Sequence, residues 1–383
     1  MTVEERETTM AGGRTRDQLG SGPELTAEEL LGDLEHPGGP VTLESFDYAF
    51  GSPATAGLYR LRGEGWSWFC KVLQHVRHWP GLAMMPPEDA ALLAEQLPWR
   101  SELELWDEPL VSRMPAGMRP PVLHGIVDLG DDRAAVWMED VDLAPPSTDL
   151  AQFTRAAFLL GRWNARCADP DLVAANGYAP GFALRMYAGQ AVEYRGLLPL
   201  ADDALWSHPW LAGHAEVRAD LRRLAPDIPE MLDRLDTYVQ TLPHGDASPQ
   251  NLLVPREDPE TFVVIDLSFR TPHALGFDLG QLLVGLVHAG EVPTAMLGQI
   301  ATLIVPAYLD GLAAEGITGS DDAVRDAFAT SALLRSGFDS FVYGLIGSED
   351  PGDRHTFDER VALCAFLARQ YDDTVAATVR QHG

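Results

Sequence analysis

Lysine is nearly absent from this chain: its 28 basic residues comprise 27 arginines and one lysine, Lys71. Either codon bias left it behind, or Lys71 marks a position that needs a compact ammonium on a flexible stem instead of a planar fork. The scarcity also excludes a Walker-type phosphate loop, which requires Gly-Lys, because Lys71 follows Cys70. Cysteine is scarce too. Cys70, Cys167 and Cys364 lie far apart with no CxxC pair, which argues against a disulfide scaffold and a cysteine zinc site and fits a reducing compartment. No uninterrupted apolar run of membrane-spanning length is read, and the N-terminus MTVEERETTMAGGRTRDQ lacks a signal-peptide core. A cytoplasmic location is the expectation. Positive charge is outnumbered, 28 basic against 57 acidic residues for a net charge of −29, and such a field repels phosphate backbones and anionic lipid. Nucleic-acid and membrane partners are therefore not expected. The acidity reads as a solubilising surface or as a pocket for a cationic ligand, and whole-chain charge cannot localise it. HExxH, GxSxG and GxGxxG are all missing, which removes zinc peptidase, serine hydrolase and dinucleotide-binding readings.

What is present suits two lobes sharing a cleft, since 383 residues exceed one ordinary core and 46% of them are apolar. Residues 1–24 are polar, Gly-rich and charged and read as a disordered leader. Thr26-Ala27-Glu28-Glu29 has capping-box spacing ahead of Leu30 and Leu31, which predicts a short helix. Short runs rich in aromatic and branched residues predict three antiparallel strands over 41–50, 57–62 and 66–73, with Lys71 on the third. A helical stripe through Leu92, Leu93, Leu97, Leu103 and Leu105 predicts a helix over 87–105. Two more strands are predicted at 122–128 and 134–138. Together residues 25–142 read as a first lobe. The connector around Leu143-Ala144-Pro145-Pro146-Ser147 then leads into a mainly helical second lobe, 143–383. Its first helix spans 150–168 with Phe153, Ala157, Leu160, Gly161 and Asn164 on the packed face. One hairpin interrupts the helices over 244–269. The expected fold class is α+β.

That hairpin carries His244-Gly245-Asp246, then Asn251, then Asp266 after the next apolar run. Alone, Asp246 or Asn251 reads as a turn residue and Asp278 as a helix N-cap. Together they offer what phosphoryl transfer requires. One carboxylate orients the attacking hydroxyl and accepts its proton, while an Asn and a second Asp hold magnesium against the polyphosphate.

HGDxxxxN, an apolar strand ending in Asp, and Gly276-Phe277-Asp278-Leu279 opening a helix resemble the aminoglycoside phosphotransferase family of small-molecule kinases, over roughly residues 41–370. The resemblance implies a bilobal protein-kinase-like fold, with a small antiparallel-sheet lobe and a larger helical one. It implies Asp246 as catalytic base supported by His244, Asn251 and Asp266 as magnesium ligands, and Asp278 as a buried brace. Lys71 would contact the nucleotide phosphates, with Glu102 as its ion-pair partner and Glu104 as the fallback. Ser52 and Thr55 lie in the loop expected over the phosphates, and backbone near Glu139 and Val141 would meet the purine edge. The implied cofactors are ATP or GTP and Mg2+, and the acceptor is a small hydroxyl compound such as an aminoglycoside, another antibiotic, a sugar or an amino alcohol. A nucleotide-binding regulator that kept the fold but lost turnover is the alternative. Ala247-Ser248-Pro249-Gln250 lacks the His that many relatives carry before the Pro, and Leu267-Ser268 also departs from the common pattern. Substrate recognition is expected in 181–234 and 323–350, where Arg335 and Asp339, four apart, read as an ordinary intrahelical pair or as cleft-facing groups.

Overall fold

The computed structural model describes residues 25–48, 52–144, 149–267 and 269–382, with side chains to residue 376. The expected leader over 1–24, Phe50 and Gly51, the Pro145-Pro146-Ser147 part of the connector and Ser268 lie outside the described residues.

The first helix, α1 (Ala27–Leu31), starts at the predicted capping box: the Glu29 N–H donates to Thr26 Oγ1 at 3.2 Å and the Thr26 N–H to Glu29 at 2.8 Å. Its buried face, Leu30 and Leu31, packs on a sheet built from β1 (Thr42–Phe46), β2 (Thr55–Gly63) and β3 (Trp66–Gln74). After β4 (Met118–Arg119), the sheet is completed by β5 (Leu123–Gly130) and β6 (Arg133–Glu139), in the order β1-β2-β3-β6-β5, antiparallel throughout. Side chains alternate across β3. Cys70 and Val72 join the core under α1, which leaves Phe69, Lys71 and Leu73 on the opposite face.

The predicted 87–105 helix is two pieces. Helix α2 (Pro87–Gln96) stops at Leu97, whose φ of −70° and ψ of 123° are extended, and a 3-10 turn follows at Ser101–Trp106. Pro98 explains the break, since it clashes with an α-helical residue before it and donates no N–H. Leu92, placed by the pattern on a buried stripe, is exposed. The first strand ends at Phe46, short of the predicted 50.

The second lobe is mainly helical, so the α+β expectation holds. Helix α3 (Leu150–Arg166) buries Phe153, Ala157, Leu160, Gly161 and Asn164, the predicted face. After it come β7 (Gln240–Thr241), β8 (Leu252–Leu253), β9 (Phe262–Val264) and β10 (His273–Ala274). The predicted hairpin is β8 against β9, and β9 also pairs in parallel with β4, tying the hairpin to the first lobe. Helices α4 (Asp278–His288), α5 (Leu297–Ala314), α6 (Asp321–Ala332) and α7 (Pro351–His382) complete the body. Helices α3 and α5 cross so closely that a Cβ on Gly161 would lie 2.2 Å from the Tyr308 carbonyl oxygen, and one on Gly311 2.1 Å from that of Phe158. Glycine alone permits that approach.

Contrary to the sequence reading, the helical stretch Thr294–Ala314 is long and apolar enough to span a membrane by length and composition. Its Ile300, Ile304, Tyr308 and Leu312 are buried in the protein core. Two π-helical segments, Ala188–Leu197 and Leu333–Gly337, pack against each other beside α7.

Candidate active site

The loop between β7 and β8 is held from behind. Asp278, buried at the start of α4, accepts the His244 N–H on Oδ2 at 3.0 Å and the Gly245 N–H on Oδ1 at 2.9 Å. Asn164 of α3 donates to Asp278 Oδ2 at 2.9 Å and to the Tyr308 hydroxyl at 3.0 Å, and that hydroxyl accepts the Gly276 N–H at 3.0 Å. The close α3/α5 crossing therefore serves the loop, because it brings Tyr308 to Asn164. Gly245 adopts φ +88°, and a Cβ there would lie 2.4 Å from the Phe269 carbonyl carbon. His244 is fully buried and packs edge-to-face on Trp163 at 6.0 Å. Its Nδ1 accepts the Asp246 N–H at 3.2 Å.

Asp246 emerges from this brace with both carboxylate oxygens engaged. Asn251 Nδ2 donates to its Oδ2 at 3.0 Å and to its main-chain oxygen at 2.9 Å, while Arg335 Nη2 donates to Oδ1 at 2.7 Å. Burial pushes its carboxyl above the ordinary aspartate range; Arg335 opposes that rise and Asp266 adds to it. Asp266 follows β9 with φ +61°, a left-handed conformation costing a non-glycine residue about 1–2 kcal/mol. Strain of this kind concentrates at functional sites.

The sole lysine faces this cluster from the sheet. Lys71 Nζ lies 2.5 Å from Glu102 Oε2 and 3.4 Å from Asp266 Oδ2. Burial alone would drive the ammonium toward neutrality, but Asp266 and Glu102 more than offset it and hold Lys71 charged beyond the ordinary lysine range. Burial raises the Glu102 carboxyl, with Lys71 working against it. Glu104, the fallback partner, is taken by Arg270 at 2.8 Å.

Oxygen donors suited to a hard cation converge here. Asn251 spends its amide NH2 on Asp246, which leaves its carbonyl oxygen for a cation, and the Asp266 side chain is 34% exposed. No group of three or more His, Cys, Asp or Glu forms a metal cage among the described residues. Magnesium commonly takes one or two protein oxygens and completes its shell with phosphate and water, and the Asn251 carbonyl and the Asp266 carboxylate are oxygens of that kind.

The remaining expected residues lie apart from this cluster. Thr55 opens β2, is buried and pairs with Leu73, two residues beyond Lys71; its N–H bonds the Ser52 carbonyl at 3.2 Å. The Glu139 carboxylate is gripped by both Arg119 Nη atoms at 2.6 and 2.8 Å and by the Val122 N–H at 3.0 Å. Its side chain therefore anchors the end of β6. Val141 follows in a half-buried irregular stretch.

Arg335 and Asp339 are not an intrahelical pair. Arg335 reaches Asp246, and Asp339 instead accepts from Arg195 and from the Tyr187 hydroxyl, both at 2.7 Å. An intrahelical pair needs continuous α-helical spacing, whereas Arg335 lies in the π-helical segment Leu333–Gly337 and Asp339 in the turn beyond it. The pairing of Arg335 with Asp246 had no local signal, since 89 residues separate them.

No family model matches this chain, and no curated protein matches it. Solved structures with a similar course exist. The microcompartment-associated aminopropanol kinase is 15% identical, with 87% of this chain and 93% of that one covered at a TM-score of 0.47. Amicoumacin kinase in complex with AMP-PNP, Ca2+ and Ami is 13% identical, covering 86% and 88% at 0.45. An aminoglycoside phosphotransferase from Alicyclobacillus acidocaldarius is 14% identical, covering 92% and 98% at 0.42. These likenesses are distant, every TM-score lying below 0.5, and the functional reading rests on the residues of the site.

Proposed function

We propose that this protein is a small-molecule kinase that transfers the γ-phosphoryl group of ATP or GTP to a hydroxyl acceptor. The observation that carries the reading is one contiguous set: Lys71 bonded to Glu102 and Asp266 on one side, and Asp246 bonded to Asn251 and braced by Asp278 on the other. Phosphoryl transfer asks little covalent chemistry of a protein. It asks for positioning and for charge that opposes the charge of the phosphates.

Lys71, kept charged in a mostly buried position, holds the nucleotide phosphates. Asn251 and Asp266 would hold Mg2+, which would neutralise charge on the polyphosphate. Asp246 orients the acceptor hydroxyl in line with the γ-phosphorus and takes its proton as the O–P bond forms and the bond to the leaving diphosphate breaks. On this reading Ser52 and Thr55 would cover the phosphates, and main-chain groups near Glu139 and Val141, at the hinge expected near 137–142, would meet the purine edge. Retention of every one of these groups favours turnover over an inert nucleotide-binding regulator.

Carboxylates around the base are matched by arginines, Asp246 by Arg335, Asp339 by Arg195 and Glu104 by Arg270. Asp266 and Glu102 share the single charge of Lys71, which leaves one carboxylate in excess and keeps cationic acceptors in the panel. The test is ADP or GDP formation on a panel of amino and neutral sugars, amino alcohols and antibiotics, read together with the mass gain of one phosphoryl group on the product. No mass gain on any acceptor, with no nucleotide turnover, would count against the assignment.

A further inference from the structure

The loop His244-Gly245-Asp246-Ala247-Ser248-Pro249-Gln250-Asn251 contains no lysine or arginine. Its cation comes from a segment about 90 residues further along the chain. Arg335 sits on the π-helical turn Leu333–Gly337, directly after α6. Its Nη2 donates to Asp246 Oδ1 at 2.7 Å and its Nη1 to the Gly245 carbonyl at 2.5 Å. The guanidinium carbon lies 4.0 Å from the Phe269 ring centre and 5.7 Å from that of Phe277, and the side chain is 10% exposed. Three segments therefore converge on one guanidinium: the loop of the base, the chain just past Asp266, and the residue before α4. Single π-helical turns are uncommon and recur at functional sites.

We propose that Arg335 is a positioning residue for phosphoryl transfer, fixing the Asp246 carboxylate in the one orientation that meets the acceptor hydroxyl. The inference rests on the kinase reading above. Arg335 clamps Oδ1 and Asn251 clamps Oδ2, so rotation of the carboxylate about its Cβ–Cγ bond is blocked at both ends. Each carboxylate oxygen has a second acceptor direction, so these bonds orient the group and leave it able to receive a proton. A planar fork reaching a carbonyl and a carboxylate at once fixes geometry that a lysine ammonium cannot. Stacking on Phe269 fixes the plane of the fork in turn.

The test uses the full chain with Arg335→Ala, Arg335→Lys, Asp246→Asn and the Arg335→Ala/Asp246→Asn double variant. Binding of MgATP is followed with a fluorescent nucleotide analogue. Turnover is followed as ADP formation with the acceptor panel and, without acceptor, as slow transfer to water. Arg335→Ala should bind nucleotide as the parent does and lose about 100-fold in kcat, the scale of a misplaced reacting group. Arg335→Lys should recover part of the loss, and it carries the test if the alanine variant does not fold. Added guanidinium ion should restore the alanine variant in a dose-dependent way, which a loosened fold would not allow. In the double variant the arginine change should add nothing to the loss from Asp246→Asn, because the two act as a unit. Parent-like kcat in both Arg335 variants overturns the proposal while leaving the kinase reading intact, as does lost turnover that neither lysine nor guanidinium recovers. A parent protein that makes no ADP under any of these conditions refutes the kinase reading, and the role of Arg335 falls with it.

Discussion

Replacing Asp278 by asparagine keeps the size of a buried side chain and inverts one of its oxygens into a donor. Oδ1 accepts the Gly245 N–H, while Oδ2 accepts the His244 N–H and Asn164 Nδ2. Whichever way the amide turns, its NH2 faces a main-chain N–H. At least one buried donor then loses its acceptor at about 1–3 kcal/mol, and the remaining bonds lose their charge assistance. A total of about 2–4 kcal/mol is expected, a sizeable part of the 5–15 kcal/mol that about describes a whole domain. The loss falls on the loop that carries Asp246, and none of the contacts of Asp278 touches Lys71. Asp278→Asn should therefore lower the urea midpoint at unchanged slope, slow phosphoryl transfer and leave nucleotide affinity near the parent value. A parent-like midpoint together with a parent-like rate would refute the reasoning that Asp278 holds the loop.

Lys71→Arg keeps charge but brings a wide fork into a space set by Glu102 at 2.5 Å and Asp266 at 3.4 Å. Nucleotide affinity and rate should both fall about tenfold or more, the scale of one charged hydrogen bond, and unaltered values would remove the case for the lone lysine. Acid should destabilise the protein through two buried histidines. His273 is held down to about 3 by burial with Arg335 adding to it, and His288 lies well below the ordinary range through burial and the neighbouring Arg360, Arg335 and Arg195. Both are neutral when folded and protonate near pH 6.5 when unfolded. Their contribution is present above about pH 6.5 and is lost below it by about 1.4 kcal/mol per pH unit each, which urea midpoints between about pH 7 and 5 would register. His273→Asn should flatten that dependence, and an unchanged slope would contradict it. Gly161→Ala places a methyl group 2.2 Å from the Tyr308 carbonyl oxygen, a main-chain atom that cannot swing away. Thermal melting should show a loss of about 1–3 kcal/mol or more, with slowed turnover because Tyr308 supports Asn164; a parent-like melt would contradict the close crossing.

Local chemistry carried further than distant pairing in this sequence. The spacing from His244 to Asn251 and on to Asp266 was readable because a short hairpin, β8 and β9, joins them, and hairpins announce themselves by apolar pairs around a Pro-rich turn. Lys71 on the third strand and Asp278 opening a helix were equally visible, one by composition and one by its N-terminal position. Glu102 was preferred over Glu104 by motif, yet the 3-10 turn that carries it was hidden by a leucine stripe that ran through Pro98. Pro98 itself was the neglected signal. Arg335 is legible only as one of two readings, an intrahelical pair or a cleft-facing group; its partner Asp246 is 89 residues away and leaves no local signal. The bond of Asp339 to Arg195 spans 144 residues and is likewise a product of packing.

The measurement closest to the central claim compares the parent protein with Asp246→Asn in MgATP, across the acceptor panel, following ADP release and acceptor mass in the same sample. The account predicts a phosphorylated acceptor and ADP from the parent, only a small residual rate of either from Asp246→Asn, and comparable nucleotide binding by both. Full transfer by Asp246→Asn would contradict it.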